Sequence, residues 1–337
     1  MPNRHIFRVA LEPVAGTRFQ PTGFPDLGTG TFKKPTSGPE KWIECILVES
    51  EQSMANHLES AAWDHGTDQP VPEFAGLPYV RVVDDKGEYL TSSRTEAHRL
   101  SSAFIRAGKL SDGTLMTAHL KSVFNLRAEK PLSASDIAKA VFALDPACLV
   151  HGVFFADKDL PGQPKITRAL TSFIEAEDVQ RADYGGVKKD HVTHGNTDER
   201  GSDEGYGSIP YHRTMWTART ITASFVIDLD QIRSYGLDEK ATRLIEVLAL
   251  YEVRALLEQG LRLRTMCDLT PIEGTDIPNL PSSAELTVEI AKLTRELSAD
   301  LSNGNALTVT WTEGTKAAGK KAAKAAEVAA DTNVDPL

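Results

Sequence analysis

Cysteine is scarce in this chain, and its few copies are scattered. The 337 residues contain three cysteines, Cys45, Cys148 and Cys267, each inside an apolar run. Because they are odd in number and widely separated, they argue against a disulfide framework and a zinc ribbon, and we interpret them as small core residues. The chain also lacks an apolar run of membrane-spanning length and an N-terminal signal-peptide pattern. We therefore expect a cytoplasmic protein that binds no membrane.

Sequence fingerprints of common enzyme classes are missing as well. The chain has no nucleophile elbow, P-loop or dinucleotide-binding fingerprint, and Gly28-Thr29-Gly30 alone does not make one. Its composition, 41% hydrophobic and 25% charged, is typical of a globular protein. We expect no cofactor and no resident metal.

A net positive charge is lacking too. The formal net charge of −10 counts against a protein that binds nucleic acid through charge alone. The charge is uneven, however, because basic side chains outnumber acidic ones between Met1 and Lys41. A local basic track of this kind can hold RNA on an acidic protein. The basic residues in it are Arg4, Arg8, Arg18, Lys33, Lys34 and Lys41.

The most informative stretch is a strand that runs directly into a helix. Ile43–Val48 is apolar, and after Ser50 the apolar residues recur with helical spacing. Ser50 is a suitable N-cap, and Gln52 and Ser53 fall in the first turn. Such a helix start directs N–H groups and hydroxyls toward one point, which suits a phosphate. The alternative is a capped core helix without a ligand.

A loop rich in glycine and proline, Gly16–Gly38, precedes this unit. Loops of this length are usually functional or disordered. Phe19 and Phe24 stand near Arg18 and Gln20, and exposed aromatic side chains with basic and amide neighbours can stack on bases. The alternative is a loop that its own aromatic residues hold against the surface.

The remaining patterns predict a sheet with large excursions. We predict an insertion at about residues 64–145, with a hairpin at Tyr79–Val83 and a helix from Ser133. Val179–Thr214 is Gly-rich and poor in apolar residues, which indicates an excursion out of the sheet. Residues 313–337 form an Ala- and Lys-rich tail that we expect to be disordered. The other predicted elements are strands at Ile6–Leu11, Leu149–Phe155, Ile166–Glu175, Ile221–Leu229, Leu261–Cys267 and Ala306–Trp311, and helices at Leu237–Gln259 and Ser283–Leu301.

The order of these elements predicts an α/β (α+β) fold with a ferredoxin-like, or RRM-like, palm. Helices cover one face of such a sheet and leave the other open. Arg262 and Arg264 alternate with leucines on the last core strand, which predicts two guanidinium groups on the open face, where RRM-type sheets hold single-stranded RNA. The alternative is a pair of surface arginines that bind acidic side chains.

Several segments together resemble one family, the RAMP-superfamily backbone subunit of type I-G (formerly I-U) CRISPR Cascade effector complexes. The resemblance covers residues 8 to 269, approximately, and leaves out the tail. The stretches that carry it are Arg18–Gly28, Val48–Asn56, Leu90–Leu100, His151–Phe155 and Gly260–Thr265.

The resemblance implies a part in antiviral defence. Copies of such a subunit polymerise as a helical oligomer along the CRISPR RNA, beside other Cascade subunits, and present the spacer for pairing with target DNA. It also implies an RNA-binding structural subunit rather than an enzyme, with Val179–Thr214 as a thumb over the RNA. The RNA-binding residues that we expect are Arg18, Phe19, Gln20, Phe24, Ser50, Gln52, Ser53, Asn56, Lys188, Lys189, Tyr206, His212, Arg213, Arg262 and Arg264.

Two other functions stay open at this point. RAMP proteins include RNA-cleaving endoribonucleases, which need a general acid and base near the scissile phosphate. Here Asp190, His191, His194 and His212 would be the candidates, and the first three also have a spacing that a metal site would permit. A scaffold that binds only protein is the third possibility.

Overall fold

A seven-stranded antiparallel sheet organises the chain. The computed structural model describes residues 3–24, 28–36, 38, 41–127, 129, 131–189, 208–275, 277–304 and 306–312. The strands are β1 (Arg4–Pro13), β2 (Gly23–Phe24), β3 (Gly28–Thr29), β4 (Thr31–Pro35), β5 (Trp42–Glu49), β6 (Trp63–Asp64), β7 (Gln69–Pro70), β8 (Val80–Val83), β9 (Tyr89–Ser92), β10 (Val153–Phe154), β11 (Lys165–Ile166), β12 (Leu170–Lys189), β13 (Ser208–Asp228), β14 (Leu261–Arg264), β15 (Cys267–Pro271) and β16 (Leu307–Thr310).

The sheet has the strand order β14-β15-β1-β13-β12-β5-β4, and every neighbouring pair in it is antiparallel. The alternation that predicted its strands is confirmed over Phe7–Leu11 of β1 and Ile221–Ile227 of β13, where every second side chain is buried in one core. The opposite face is more open. Ile6 there is 52% exposed, and Arg8 and Ala10 beside it are exposed as well.

The helices are α1 (Glu51–Ala61), α2 (Ala103–Ala107), α3 (Met116–Val123), α4 (Ala134–Leu144), α5 (Ala147–His151), α6 (Leu229–Ser234), α7 (Glu239–Gln259) and α8 (Ser283–Glu296). Helices α1 and α7 pack against each other, with α1 also on β12 and α7 also on β13. The predicted ends of α7 are nearly correct, since Asp238 caps it and Gly260, at φ +84°, ends it. None of the described helices is long and apolar enough to span a bilayer.

A large segment separates β5 from β12, which are neighbours in the sheet. It holds α1 to α5 and the strands β8 and β9, which form a three-stranded sheet of order β16-β8-β9 with a strand from near the end of the described chain. The predicted hairpin is present as β8 and β9, with Gly87 N–H donating to the Asp84 carbonyl in the turn. The predicted last strand exists as β16, but it joins this small sheet, parallel to β8, rather than the main sheet.

Three predicted elements are wrong in part. The predicted strand at Leu149–Phe155 is helix α5 up to His151 and strand β10 only at Val153–Phe154. The Asp145 carboxylate accepts the Ala147 N–H at the start of this helix, which ends at Gly152, at φ +77°. All five residues of α5 are buried, so no alternation separates helix from strand. The predicted loop Gly16–Gly38 contains β2, β3 and the edge strand β4, whose residues are all exposed and therefore show no pattern.

The third error concerns the predicted strand Leu261–Cys267. Its residues belong to a hairpin of β14 and β15.

The predicted excursion, Val179–Thr214, is regular in its described part. From Leu170↔Ile227 to Lys189↔Ser208, β12 and β13 pair in one continuous register, which extends the sheet as a two-stranded ribbon. Residues 190–207 lie outside the described part of the chain.

Charged groups are buried together where α1, α5 and α7 meet. Arg99 binds Glu59 with two hydrogen bonds of 2.6 and 2.7 Å, and His151 Nε2 lies 2.6 Å from Glu252 Oε2. Burial raises the pKa of Glu252 to about 8 and lowers the pKa of His151 to about 4. At neutral pH both groups are therefore uncharged, and the protonated Glu252 carboxyl donates to the imidazole.

This pair should give stability a defined pH dependence. Folded Glu252 keeps its proton up to about pH 8, whereas in the unfolded chain it loses the proton above its ordinary pKa of 4.5. The free energy of unfolding therefore falls as the pH rises between these values. The lowered pKa of His151 has the opposite effect on stability, but only below the ordinary histidine pKa of 6.5. Between pH 6.5 and 8 the free energy of unfolding should therefore fall, by up to about 1.4 kcal/mol per pH unit.

Glu252→Gln should remove this slope and keep the fold, because an amide can hydrogen-bond to the imidazole but does not titrate. The measurement is urea unfolding at several pH values. Glu258→Gln, the same change at an exposed position of α7, is the control and should keep the slope. A slope that survives in Glu252→Gln would contradict the assignment.

Candidate nucleic-acid interface

The start of α1 is built as its sequence predicts. Ser50 is the N-cap, in extended conformation, and its hydroxyl accepts the Ser53 N–H at 3.4 Å. The apolar side of the helix is buried, whereas Gln52 and Asn56 are exposed. As at any helix start, the first N–H groups, here those of Glu51 and Gln52, have no acceptor within the helix. These donors and the positive end of the helix dipole face a side that solvent reaches.

A basic side chain that the sequence did not single out joins this helix start. Arg168 Nη2 donates to Gln52 Oε1 at 3.0 Å, and its Nη1 donates to the Glu51 carbonyl at 3.2 Å. Burial and the charge of Arg99 lower the pKa of Arg168. Gln52 is thus held in place by a cation. The separation of more than one hundred residues explains why no local pattern predicts this contact.

The segment from Arg18 to Thr22 lies directly beside the helix start. Thr22 N–H donates to the Val48 carbonyl at 2.8 Å, two residues before Ser50, and Gln20 N–H donates to the Met266 carbonyl at 2.8 Å. Arg18 is exposed, and its guanidinium lies 5.1 Å from the centre of the Tyr184 ring. The predicted loop, helix start and last hairpin therefore meet at one place.

The expected role of Phe19 in stacking on bases is wrong. Its side chain is only 1% exposed, because Phe19 pairs with Trp216 through two backbone hydrogen bonds of 2.9 Å and turns its ring into the core. Gln20 is half-buried. Phe24 belongs to β2, where it pairs with Gly28, and its side chain lies outside what the structure describes.

The two arginines of β14 have different surroundings. Arg262 is exposed and forms no ion pair with a described residue. Arg264 instead forms an ion pair with Glu49, which is 1% exposed, and donates to the carbonyls of Gln20 (2.9 Å) and Val48 (3.4 Å). The expectation of two unpaired guanidinium groups on an open face is therefore wrong for Arg264. Its observed contacts join the three segments that meet here.

The ribbon of β12 and β13 carries the remaining expected residues. His212 and Arg213 are exposed on β13, and His212 Nε2 lies 3.9 Å from the Asp183 carboxylate. Hydrogen bonds from Thr214 and Arg181 lower the pKa of Asp183. Lys188 and Lys189 belong to β12, but their side chains, and all of Tyr206, lie outside the described residues.

At two glycines of the ribbon, atoms of the opposite strand lie very close to the backbone. A Cβ atom on Gly185 would come within 2.8 Å of the Tyr211 carbonyl oxygen, and one on Gly186 within 2.8 Å of the Tyr211 hydroxyl. The Tyr211 ring meets Tyr184 edge-on at 6.4 Å between centroids. Glycine here lets the tyrosines lie against the strand, so the ribbon carries aromatic rings together with Arg18.

No described group of three or more His, Cys, Asp or Glu side chains is arranged to hold a metal ion. The endoribonuclease candidates Asp190, His191 and His194, which would also have formed the metal site, lie outside the described residues.

Comparisons with known proteins give one family match and one match to a solved structure. The family model of CRISPR-associated protein GSU0053 matches residues 6–181, just over half of the chain. A solved chain described as "CRISPR RNA-guided surveillance complex, pre-nicking" is 12% identical with a TM-score of 0.36, and the match covers 87% of this chain and 88% of that one. No curated protein matches this chain.

The two arginines of β14 should differ in their effect on stability. Arg264→Met leaves the buried Glu49 carboxylate unpaired, which should lower the free energy of unfolding by about 3 kcal/mol. Arg262→Met removes an exposed charge and should change it by less than about 0.5 kcal/mol. Urea unfolding of both variants checks this, and equal losses would show that the Arg264–Glu49 pair does not hold the segments together.

Proposed function

The chain belongs to the CRISPR-associated GSU0053 family, and we propose that it is a backbone subunit that binds CRISPR RNA in a type I-G Cascade-like complex. In this proposal copies of the subunit follow one another along the RNA as a helical oligomer, together with other Cascade subunits. The protein holds the RNA backbone and leaves the bases free to pair with target DNA.

The strand order supports an RRM-like palm as part of this proposal. The succession β1, α1, β12, β13, α7, β15 is the β-α-β-β-α-β order of a ferredoxin-like unit, with β14 added at one edge of the sheet and β5 and β4 at the other. In RRM domains the open face of such a sheet binds single-stranded RNA. The exposed Arg8 on the open face of β1 adds a cation that the expected set of RNA-binding residues lacked.

The observation that carries the proposal is the convergence of three distant segments at the start of α1. The N–H groups after Ser50 provide donors for a phosphate, and Arg168 provides a cation at the same turn of helix. Arg18 and Arg262 are exposed cations on the two segments that join the helix start. Backbone hydrogen bonds fix all three segments relative to one another. A rigid set of backbone donors with nearby arginines suits a repeating phosphate backbone and reads no base sequence.

The ribbon is the natural candidate for the thumb, within about residues 179–214. Its described part carries Tyr184 and Tyr211 with Arg18 over one ring, and His212 and Arg213 are exposed on it. Aromatic rings and arginines together provide stacking surfaces for bases and cations for the backbone. We propose that Lys188, Lys189 and Tyr206 also bind the RNA.

A substitution at the N-cap tests the RNA site. Ser50→Asp keeps the capping oxygen but adds a negative charge where we place a phosphate, so the affinity for single-stranded RNA should fall by about tenfold at unchanged thermal stability. Fluorescence anisotropy at fixed salt measures the affinity. Ser133→Asp is the matched control, because Ser133 caps α4 by accepting the N–H three residues on, at 3.3 Å. Equal RNA affinity in both variants would count against the site.

The endoribonuclease alternative predicts a different outcome. His212 and Asp183 are exposed on a ribbon, without the defined setting that an acid–base pair needs, so we expect the purified chain to leave bound RNA intact with or without divalent metal. Gel analysis of labelled RNA over hours checks this. RNA cleavage that disappears in His212→Ala, while Arg213→Ala retains it, would favour the nuclease.

A further inference from the structure

Two of the segments that resemble the CRISPR family have no role in the proposed RNA path, yet they meet in the fold. Ala97–Ser101 and His151–Phe154 line a cavity of about 370 Å³ together with Lys165–Arg168 and Gln52. We name it the Arg168 cavity. Gln52 belongs to the first turn of α1, so the cavity adjoins the proposed phosphate site.

The lining of the Arg168 cavity is positively charged. Arg99, Lys165 and Arg168 lie in it, and none of the described residues that line it is acidic, although the whole chain has more acidic than basic residues. Arg99 is neutralised by Glu59 behind it. Arg168 has only neutral oxygens as hydrogen-bond acceptors, and Lys165 forms no ion pair with a described residue. The cavity therefore offers two cations that form no ion pair with a described carboxylate.

An aromatic residue lies beside these cations. Phe154 is half-buried in the wall, and Lys165 Nζ lies 5.9 Å from its ring centre. An aromatic wall beside cations is the combination that accepts a base and its phosphate. The volume lies within the range of small-molecule sites.

We propose that the Arg168 cavity binds one nucleotide, with its phosphate on Arg168 and Lys165 and its base against Phe154. The RNA at the start of α1 is the expected source, and in that respect the inference rests on the proposed function. A free mononucleotide has the same chemistry, so the experiment distinguishes the two sources.

The test uses the full chain, purified free of nucleic acid, with AMP and a single-stranded RNA as probes. Lys165→Glu should weaken AMP binding at least about tenfold and reduce the salt slope of RNA binding by about one. Ala156→Trp fills the cavity and keeps every charge, so it should abolish AMP binding and weaken RNA binding without that loss of slope. Lys292→Glu, an exposed charge change on α8, is the control.

Each outcome decides a different point. If both probes are lost in both cavity variants, the nucleotide comes from the RNA. If AMP binding alone is lost, the site is supported with a free nucleotide as its ligand. The inference is overturned if Lys165→Glu and Ala156→Trp bind AMP and RNA as the parent does. A parent chain that binds AMP but no RNA would instead refute the proposed function and leave the cavity as a nucleotide site.

Discussion

The ion pair between Arg264 and Glu49 is the interaction on which the candidate interface depends. Glu49 is the last residue of β5 and is almost fully buried, so without Arg264 its charge would have no counterpart. The same guanidinium donates to the carbonyls of Gln20 and Val48. One side chain thus fixes the loop before β2, the end of β5 and the β14–β15 hairpin in one arrangement. The helix start at Ser50 follows directly from the strand end that it holds.

The other side of the helix start is held by Arg168, through the Glu51 carbonyl and the Gln52 side chain. Two arginines from different parts of the chain therefore contact the residues on either side of Ser50, Arg264 before it and Arg168 after it. They differ in their acceptors. Arg264 forms an ion pair with a carboxylate, whereas Arg168 donates to neutral oxygens. We infer that Arg264 sets the geometry of the interface and that Arg168 supplies charge to it.

Local patterns in the sequence predicted local structure well. Alternation located β1 and part of β13, and capping residues located the starts of α1 and α4, because these signals are contained in a few neighbouring residues. Helix α5 was mistaken for a strand since every residue of it is buried. At the site, Ser50 was placed correctly, but Phe19 and Arg264 were not. Their surroundings depend on Trp216 and Glu49, which are far away in sequence, and no periodicity reports such partners.

Partners that are distant in sequence also decide where an acidic chain has a locally cationic surface. Composition does not tell which arginines of this chain are bound to a carboxylate and which are not. Arg94 and Arg99 are buried and bound to Asp145 and Glu59, so they add no positive field at the surface. Exposed arginines also differ among themselves. Arg181 and Arg219 form ion pairs with Asp183 and Asp178, whereas Arg262 forms none with a described residue. In the function that we propose, exposed arginines without a carboxylate partner attract the phosphate backbone, and the excess of acidic side chains elsewhere repels RNA from the remaining surface.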